Sequence, residues 1–317
     1  MTDTMAVSQP LFRAAAVQAA PVFLDLDASI DKAIGLIDGA AAKGVRLFAF
    51  PETWLPGYPG FSGLDSPARS MQFIQRHRVN SRVDGSPQAE RLMKVATDHA
   101  IMVVPGHSEK AGGRLSMAQW IIDAEGHMVA QRPQLLPTHL ERTICGGGDG
   151  SDLTVHDTAL GRIGALCGRE HLQPLSKYAM YAQSEPLHIA AWPSFSLYRG
   201  GACALGAEVN NAAGRIHAVE GRCFVLAPRA TGSKEMVQLL CGEARHQAPV
   251  AARRRWHHGD LRARGPVHDR AAARGHGRHR LRRARPRHHL AREGRCRPGR
   301  PLRARRCQAI AVRQDPA

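Results

Sequence analysis

An abrupt change of composition at Arg245 divides this 317-residue chain into a part able to fold around a core and a part that is not. Residues 245–317 hold 22 of the 44 basic residues, every one an arginine, and only 4 of the 27 acids. The 22 basic and 23 acidic residues of Met1–Ala244 nearly cancel, so the net charge of +17 belongs to the tail. From Ala251 to Arg306 nearly every residue is Arg, Ala, Gly, His or Pro, in runs such as HGRHRLRRARPRHH. No apolar period survives there, and such a segment cannot bury enough surface to offset its chain entropy. The tail, 245–317, is expected to be disordered. Its guanidinium density would suit a polyanion-binding arm. Absent lysine, a single aromatic residue (Trp256) and the abrupt onset fit a GC-rich coding sequence read out of frame better. Nucleic acid is a partner only if the tail is genuine.

The body, 12–244 after a disordered N-terminus (1–11), alternates short apolar runs with helical stripes. Phe12–Gln18, Val45–Phe50, Ile101–Val104, Leu187–Ala191 and Cys223–Ala227 read as strands. Ser29–Lys43, with apolar Ile30, Ala33, Ile34, Ile37 and Ala41 and with Gly44 placed to end it, reads as a helix. Ser86–His99 and Leu205–Val219 read the same way. Met117–Ile122 and His127–Ala130 form a hairpin about residues 124–126, and Leu153–His156 and Arg162–Leu166 bracket Gly161 similarly. This alternation predicts an α/β fold with helices covering a sheet. No stretch reaches the roughly 20 apolar residues of a membrane span, and the N-terminus lacks a secretory pattern. Seven cysteines without CxxC, and body histidines without ligand spacing, indicate no metal and no disulfide framework. A cytoplasmic location is expected.

Three blocks carry chemistry. Phe50–Pro59 reads FPETWLPGYP, Leu136–Thr143 reads LPTHLERT, and Gly161–Trp192 contains GRIGALCGREHLQPLSK. The chain resembles the nitrilase family of the carbon–nitrogen hydrolase superfamily, whose third block runs G-A-x-x-C-W-E-H-x-x-P-L-x-K. Gly164, Ala165, Glu170, His171, Pro174, Leu175 and Lys177 match it without a gap. The resemblance extends over about Phe12–Cys241. It implies a four-layer α-β-β-α sandwich, incomplete at the C-terminus with sheet edges left open, and a homo-oligomer. It also implies hydrolysis of a small nitrile to a carboxylic acid and ammonia through a cysteine thioimidate, with no cofactor. Glu52 falls on the family's base, and Glu141 on a second acid that supports it.

Two positions depart from the pattern. The family's nucleophile falls on Gly168, with Arg169 in place of tryptophan, and its lysine falls on Gln134. Gln134 can donate a hydrogen bond but brings no charge, and Arg132 nearby has a planar fork that does not replace an ammonium. Cys167, one residue early, is either a displaced nucleophile or a buried inert thiol. On an extended segment it should face the core while position 168 faces the pocket, which favours the inert thiol. The alternative readings are Glu52 as an ordinary exposed acid and Glu141 as an ion-pair partner of Arg142 or part of a surface face. The chain is therefore expected to be an impaired nitrilase, the alternatives being a non-catalytic assembly partner or a polyanion binder.

Overall fold

The computed structural model describes residues 11–63, 67–82, 85–194, 206–241 and 307–313. Residues 1–10, Cys203, the stretch 195–205 and 242–306 lie outside the described residues, as do the expectations that fall on them.

Two sheets are stacked between helices. The first holds β1 (Phe12–Gln18), β2 (Val45–Ala49), β3 (Met102–Val104), β4 (Gly106–Ala111), β5 (Arg114–Ile122), β6 (Met128–Pro133) and β11 (Cys307–Arg313). Its order is β11-β1-β2-β3-β5-β4, with β6 paired to β5. The second sheet runs β10 (Phe224–Leu226), β9 (Leu187–Ala191), β8 (Gly161–Cys167), β7 (His156–Thr158). Phe12, Ala14, Leu47, Ala49, Met102 and Val104 of the first sheet meet Ile163, Ala165, Leu187 and Ile189 of the second in one buried cluster. The opposite face of the first sheet packs on α1 (Leu26–Ala41) and α3 (Pro87–Asp98). The opposite face of the second packs on α4 (Pro174–Ala182) through Leu166 and Met180, and on α5 (Ala207–Glu220) through Trp192 and Ala213. Layer by layer, this is the four-layer sandwich expected.

Local chemistry sets the element ends. Asp25 caps α1 by accepting from the Ala28 amide at 3.0 Å, and Ser86 caps α3 ahead of Pro87 in its first turn. The β5–β6 turn closes on Asp123 Oδ1, which accepts from the Glu125 and His127 amides, with Gly126 at φ +84°. Four elements had no clear sequence signal: α2 (Pro67–Val79), β4, α4 and α6 (Lys234–Cys241). β4 reads GHSEKA and forms by pairing with β5, from Gly106 opposite Gln119 to Ala111 opposite Arg114.

Two expectations are corrected. Leu153–Val155 are not part of a strand; the hairpin is the tighter pair β7–β8, closed by Thr158 Oγ1 donating to the Gly161 carbonyl at 2.6 Å. The tail is not wholly without structure. CQAIAVR, its one stretch with apolar alternation, forms β11 parallel to β1, with Phe12 opposite Cys307 and Gln18 opposite Arg313. The edge of β1 thus has a partner, contrary to the open edge expected there.

Candidate active site

The three sequence blocks converge at strand ends on the seam between the sheets. Glu52 follows β2, Gln134 directly follows β6, Gly168 directly follows β8, and Glu141 lies in a 3-10 turn, His139–Thr143. The Glu52 amide donates to the Trp192 carbonyl just past β9 at 3.3 Å, tying one sheet's loop to the other. Thr53 sits at φ +46°, a conformation costly for a β-branched residue, immediately after the acid it helps aim. Gly106 passes so close to the Pro51 carbonyl that a side chain there would collide with backbone.

Glu52 is 2% exposed, not the surface acid of the alternative reading. Its Oε1 accepts from Gln134 Nε2 at 3.4 Å, and a β-carbon at position 168 would fall within the contact radius of its Oε2. A side chain at 168 therefore points at the Glu52 carboxylate. Glu141 is also buried; Tyr58 Oη donates to its Oε1 and the Thr138 amide to its Oε2. Its alternative partner is otherwise engaged, since Arg142 Nε donates to the Pro137 carbonyl at 2.8 Å. Burial pushes the Glu52 carboxyl well above the usual range, and the charges of Glu141 and Glu170 push it further against the pull of Arg132. Burial raises Glu141 too, opposed by the hydrogen bonds of Tyr58 and Thr138 and by the charge of Arg169. Two neighbouring carboxyls that each resist ionisation make a site that holds protons. Among the described residues no lysine or arginine forms an ion pair with either carboxylate.

Arg132 pairs elsewhere. Its Nη2 donates to Glu170 Oε1 at 2.6 Å, and Glu170 is fully occupied: Oε1 also accepts from the Leu135 amide and Oε2 from the Cys167 amide. This buried pair fastens β6 to the turn that carries Gly168. Gln134 is left with a buried Oε1 that has no hydrogen-bond partner. That orphaned acceptor marks the lysine position as a poor fit for an amide.

Cys167 shares the inter-sheet face of Ile163 and Ala165, as strand alternation requires. Its Sγ is buried, donates to Gln119 Oε1 at 3.4 Å and lies 3.8 Å from Arg132 Nη1. Burial raises the thiol well above its ordinary value, and the charges of Glu170 and Glu52 add to this despite Arg132. A thiol so placed is a poor nucleophile. Alkylation of the native protein followed by peptide mapping should leave Cys167 unmodified until denaturant is added; rapid native modification would refute the inert assignment. Cys145 is buried as well, with its thiol pushed up to about 12 by burial and by Glu141 and Glu52.

Sequence reasoning missed Tyr58 as the partner of Glu141, although it lies within FPETWLPGYP. It also missed a cluster of His171, His188, His217 and Glu185 behind Gly168, whose members are far apart in the chain.

A family model described as carbon-nitrogen hydrolase matches residues 13–264, further than the Cys241 limit expected. A nitrilase of Pseudomonas syringae pv. syringae is 55% identical over 235 residues, covering 74% of this chain and 70% of that protein. An arylacetone-specific nitrilase of Alcaligenes faecalis is 47% identical over 233 residues, covering 74% of this chain and 65% of that protein. The chain thus spans about two thirds of these relatives' length. Among solved structures, a carbon–nitrogen hydrolase from Helicobacter pylori G27 superposes with a TM-score of 0.55 at 16% identity, over 70% of this chain and 75% of that one. No described helix is long and apolar enough to cross a membrane. With the four layers, the blocks at one seam and the extent of the match agreeing, the chain belongs to the carbon–nitrogen hydrolase family.

Proposed function

We propose that this site is that of a nitrile hydrolase held in an impaired form by Gly168 and Gln134. In the reaction the frame is built for, a cysteine thiolate at position 168 adds to the nitrile carbon and Glu52 takes the thiol proton. The nitrile nitrogen gains protons as the thioimidate forms. One water then displaces ammonia and a second releases the carboxylic acid. The observation that carries this reading is the aim of position 168 onto Glu52, with Gln134 bonded to the same carboxylate. The names of the relatives support a nitrile as substrate. Without sulfur at 168 and an ammonium at 134, the chain keeps the pocket and loses the reagent. The test is covalent capture: incubate the chain with a nitrile panel, then measure intact mass and released ammonia. The chain as it stands should form no adduct, and Gly168→Cys with Gln134→Lys and Arg169→Trp should form one at residue 168. An adduct on unmodified Cys167 would overturn the proposal.

A second reading, an assembly partner of the same fold, is favoured by one feature. Leu175 and Tyr178 on α4 and Ile216 and Val219 on α5 are exposed. The two helices are joined where Lys177 Nζ and Tyr181 Oη both donate to Glu220 Oε2. Exposed apolar side chains grouped this way suit self-association. Sedimentation should show an oligomer that Leu175→Asp with Val219→Asp dissociates; an unchanged sedimentation coefficient would rule this face out.

A further inference from the structure

Behind the Gly168 turn, four buried titratable side chains from four segments form a hydrogen-bonded row that the proposed chemistry does not use. His171 comes from the 3-10 turn after β8, Glu185 precedes β9, His188 lies in β9 and His217 in α5; none is more than 2% exposed. His171 Nδ1 lies 2.7 Å from the Gly168 carbonyl oxygen, and its Nε2 lies 2.9 Å from His188 Nε2. His188 Nδ1 lies 2.9 Å from Glu185 Oε2, whose other oxygen is 2.7 Å from His217 Nε2. Gly164 makes the row possible, because a side chain there would occupy the place of the Glu185 carboxylate. This gives that motif glycine a physical reason.

Proton accounting fixes the roles. A carbonyl only accepts, so His171 Nδ1 carries a hydrogen. The Nε2–Nε2 link needs one proton, and so does the link between His188 and Glu185. With the link between His217 and Glu185 the row has four links and four protons, whereas three neutral imidazoles beside an ionised carboxylate hold three. The row therefore contains one extra proton and is neutral overall with Glu185. Burial, with His188 and His217 adjacent, holds His171 well below its ordinary value. Burial alone would raise Glu185, but the charge and hydrogen bonds of His188, with those of His217, outweigh it and hold the carboxyl at about 2. The His188 ring stacks on that of His217 at 3.8 Å between centroids. Among the described residues, Lys177 and Tyr181 of α4, Glu220 of α5, Cys223 before β10 and Arg132 of β6 also face the row. His171 itself packs on Trp192 at 4.7 Å.

We propose that His171 is a positioning residue, oriented by its bond to His188 and fixing through the Gly168 carbonyl the turn that aims position 168 at Glu52. A hydrogen-bonded row of this kind orients a reacting position without touching substrate. The inference shares its site with the nitrile-hydrolase reading, but its test needs no turnover, so the two fail separately.

The full chain, labelled with ¹⁵N in its histidine rings, provides the test through long-range proton–nitrogen correlations near neutral pH. Among the chain's 17 histidines, a neutral Nδ1–H ring absent from His171→Asn and a ring with hydrogen on Nε2 absent from His188→Gln are expected. Glu185→Gln should keep the Nδ1–H ring, since the amide then donates to His188. The ¹³C resonance of the Gly168 carbonyl should shift in His171→Ala and stay in place in His171→Asn, whose amide still donates. Should Glu185→Gln fail to fold, the unmodified chain decides alone. Finding His171 as the Nε2–H form, or the Gly168 carbonyl resonance unmoved in His171→Ala, overturns the proposal. So does a shift of all three ring systems on adding stoichiometric zinc chloride, since the nitrogens of His171, His188 and His217 lie within 4.8 Å of one another.

Discussion

Gly168→Cys alone is expected to yield slow or undetectable nitrile adduct, while Gly168→Cys with Gln134→Lys forms adduct on the order of 10²–10³ times faster. The first change restores sulfur but crowds Glu52 Oε2, so the carboxylate must turn away. It can do so, because it is the flexible end of a side chain whose other oxygen is held only by a 3.4 Å bond from Gln134. The new thiol, however, would sit among Glu52, Glu141 and Glu170 with Arg132 already committed to Glu170. Anionic neighbours disfavour a thiolate. An ammonium at 134 reverses this sign: it pulls the Glu52 carboxyl down toward ionisation, supports the thiolate and stabilises charge developing on the nitrile nitrogen. Adduct kinetics by intact mass, with Gln134→Lys alone as the sulfur-free control, separate the contributions. Equal rates for the single and double variants would show that the lysine position carries no such role.

The largest expected effect on stability lies at Glu170. Glu170→Ala should cost roughly 3–5 kcal/mol, the usual penalty for removing one member of a buried ion pair. The loss is of three acceptor bonds, from Arg132, Leu135 and Cys167, and it leaves a guanidinium that is 3% exposed without its counter-charge. Arg132→Met in the same chain should recover part of the loss, because the double change no longer strands a charge. Urea unfolding reads both as shifts of midpoint at constant slope. A Glu170→Ala midpoint equal to that of the parent would mean that the pair is not buried in solution.

Much of this was legible in the chain before any fold was known. Val45–Ala49 and Leu187–Ala191 read as strands because, Arg46 and His188 apart, they are apolar, as strands buried on both faces are. β4 was not, because its Ser108, Glu109 and Lys110 carry no strand pattern and its pairing with β5 decides it. β11 was masked by the arginine-rich sequence before it, although Ala309–Val312 is apolar. At the site, Glu52, Gln134, Glu141 and Gly168 were placed by motif, and the structure sets them at one seam. Tyr58 with Glu141, 83 residues apart, and Glu185 with His217, 32 apart, are meetings that only the folded chain creates. No local pattern marks such partners; each histidine alone looks like an ordinary core residue.

One consequence follows from how Glu52 leans over Gly168. What blocks that spot is a rotatable carboxylate rather than backbone. Present and sulfur-bearing arrangements are therefore separated by torsions of one side chain, while strands, turns and buried ion pair stay as they are. On the proposed function, loss of the reagent and loss of the scaffold are distinct events in such a molecule.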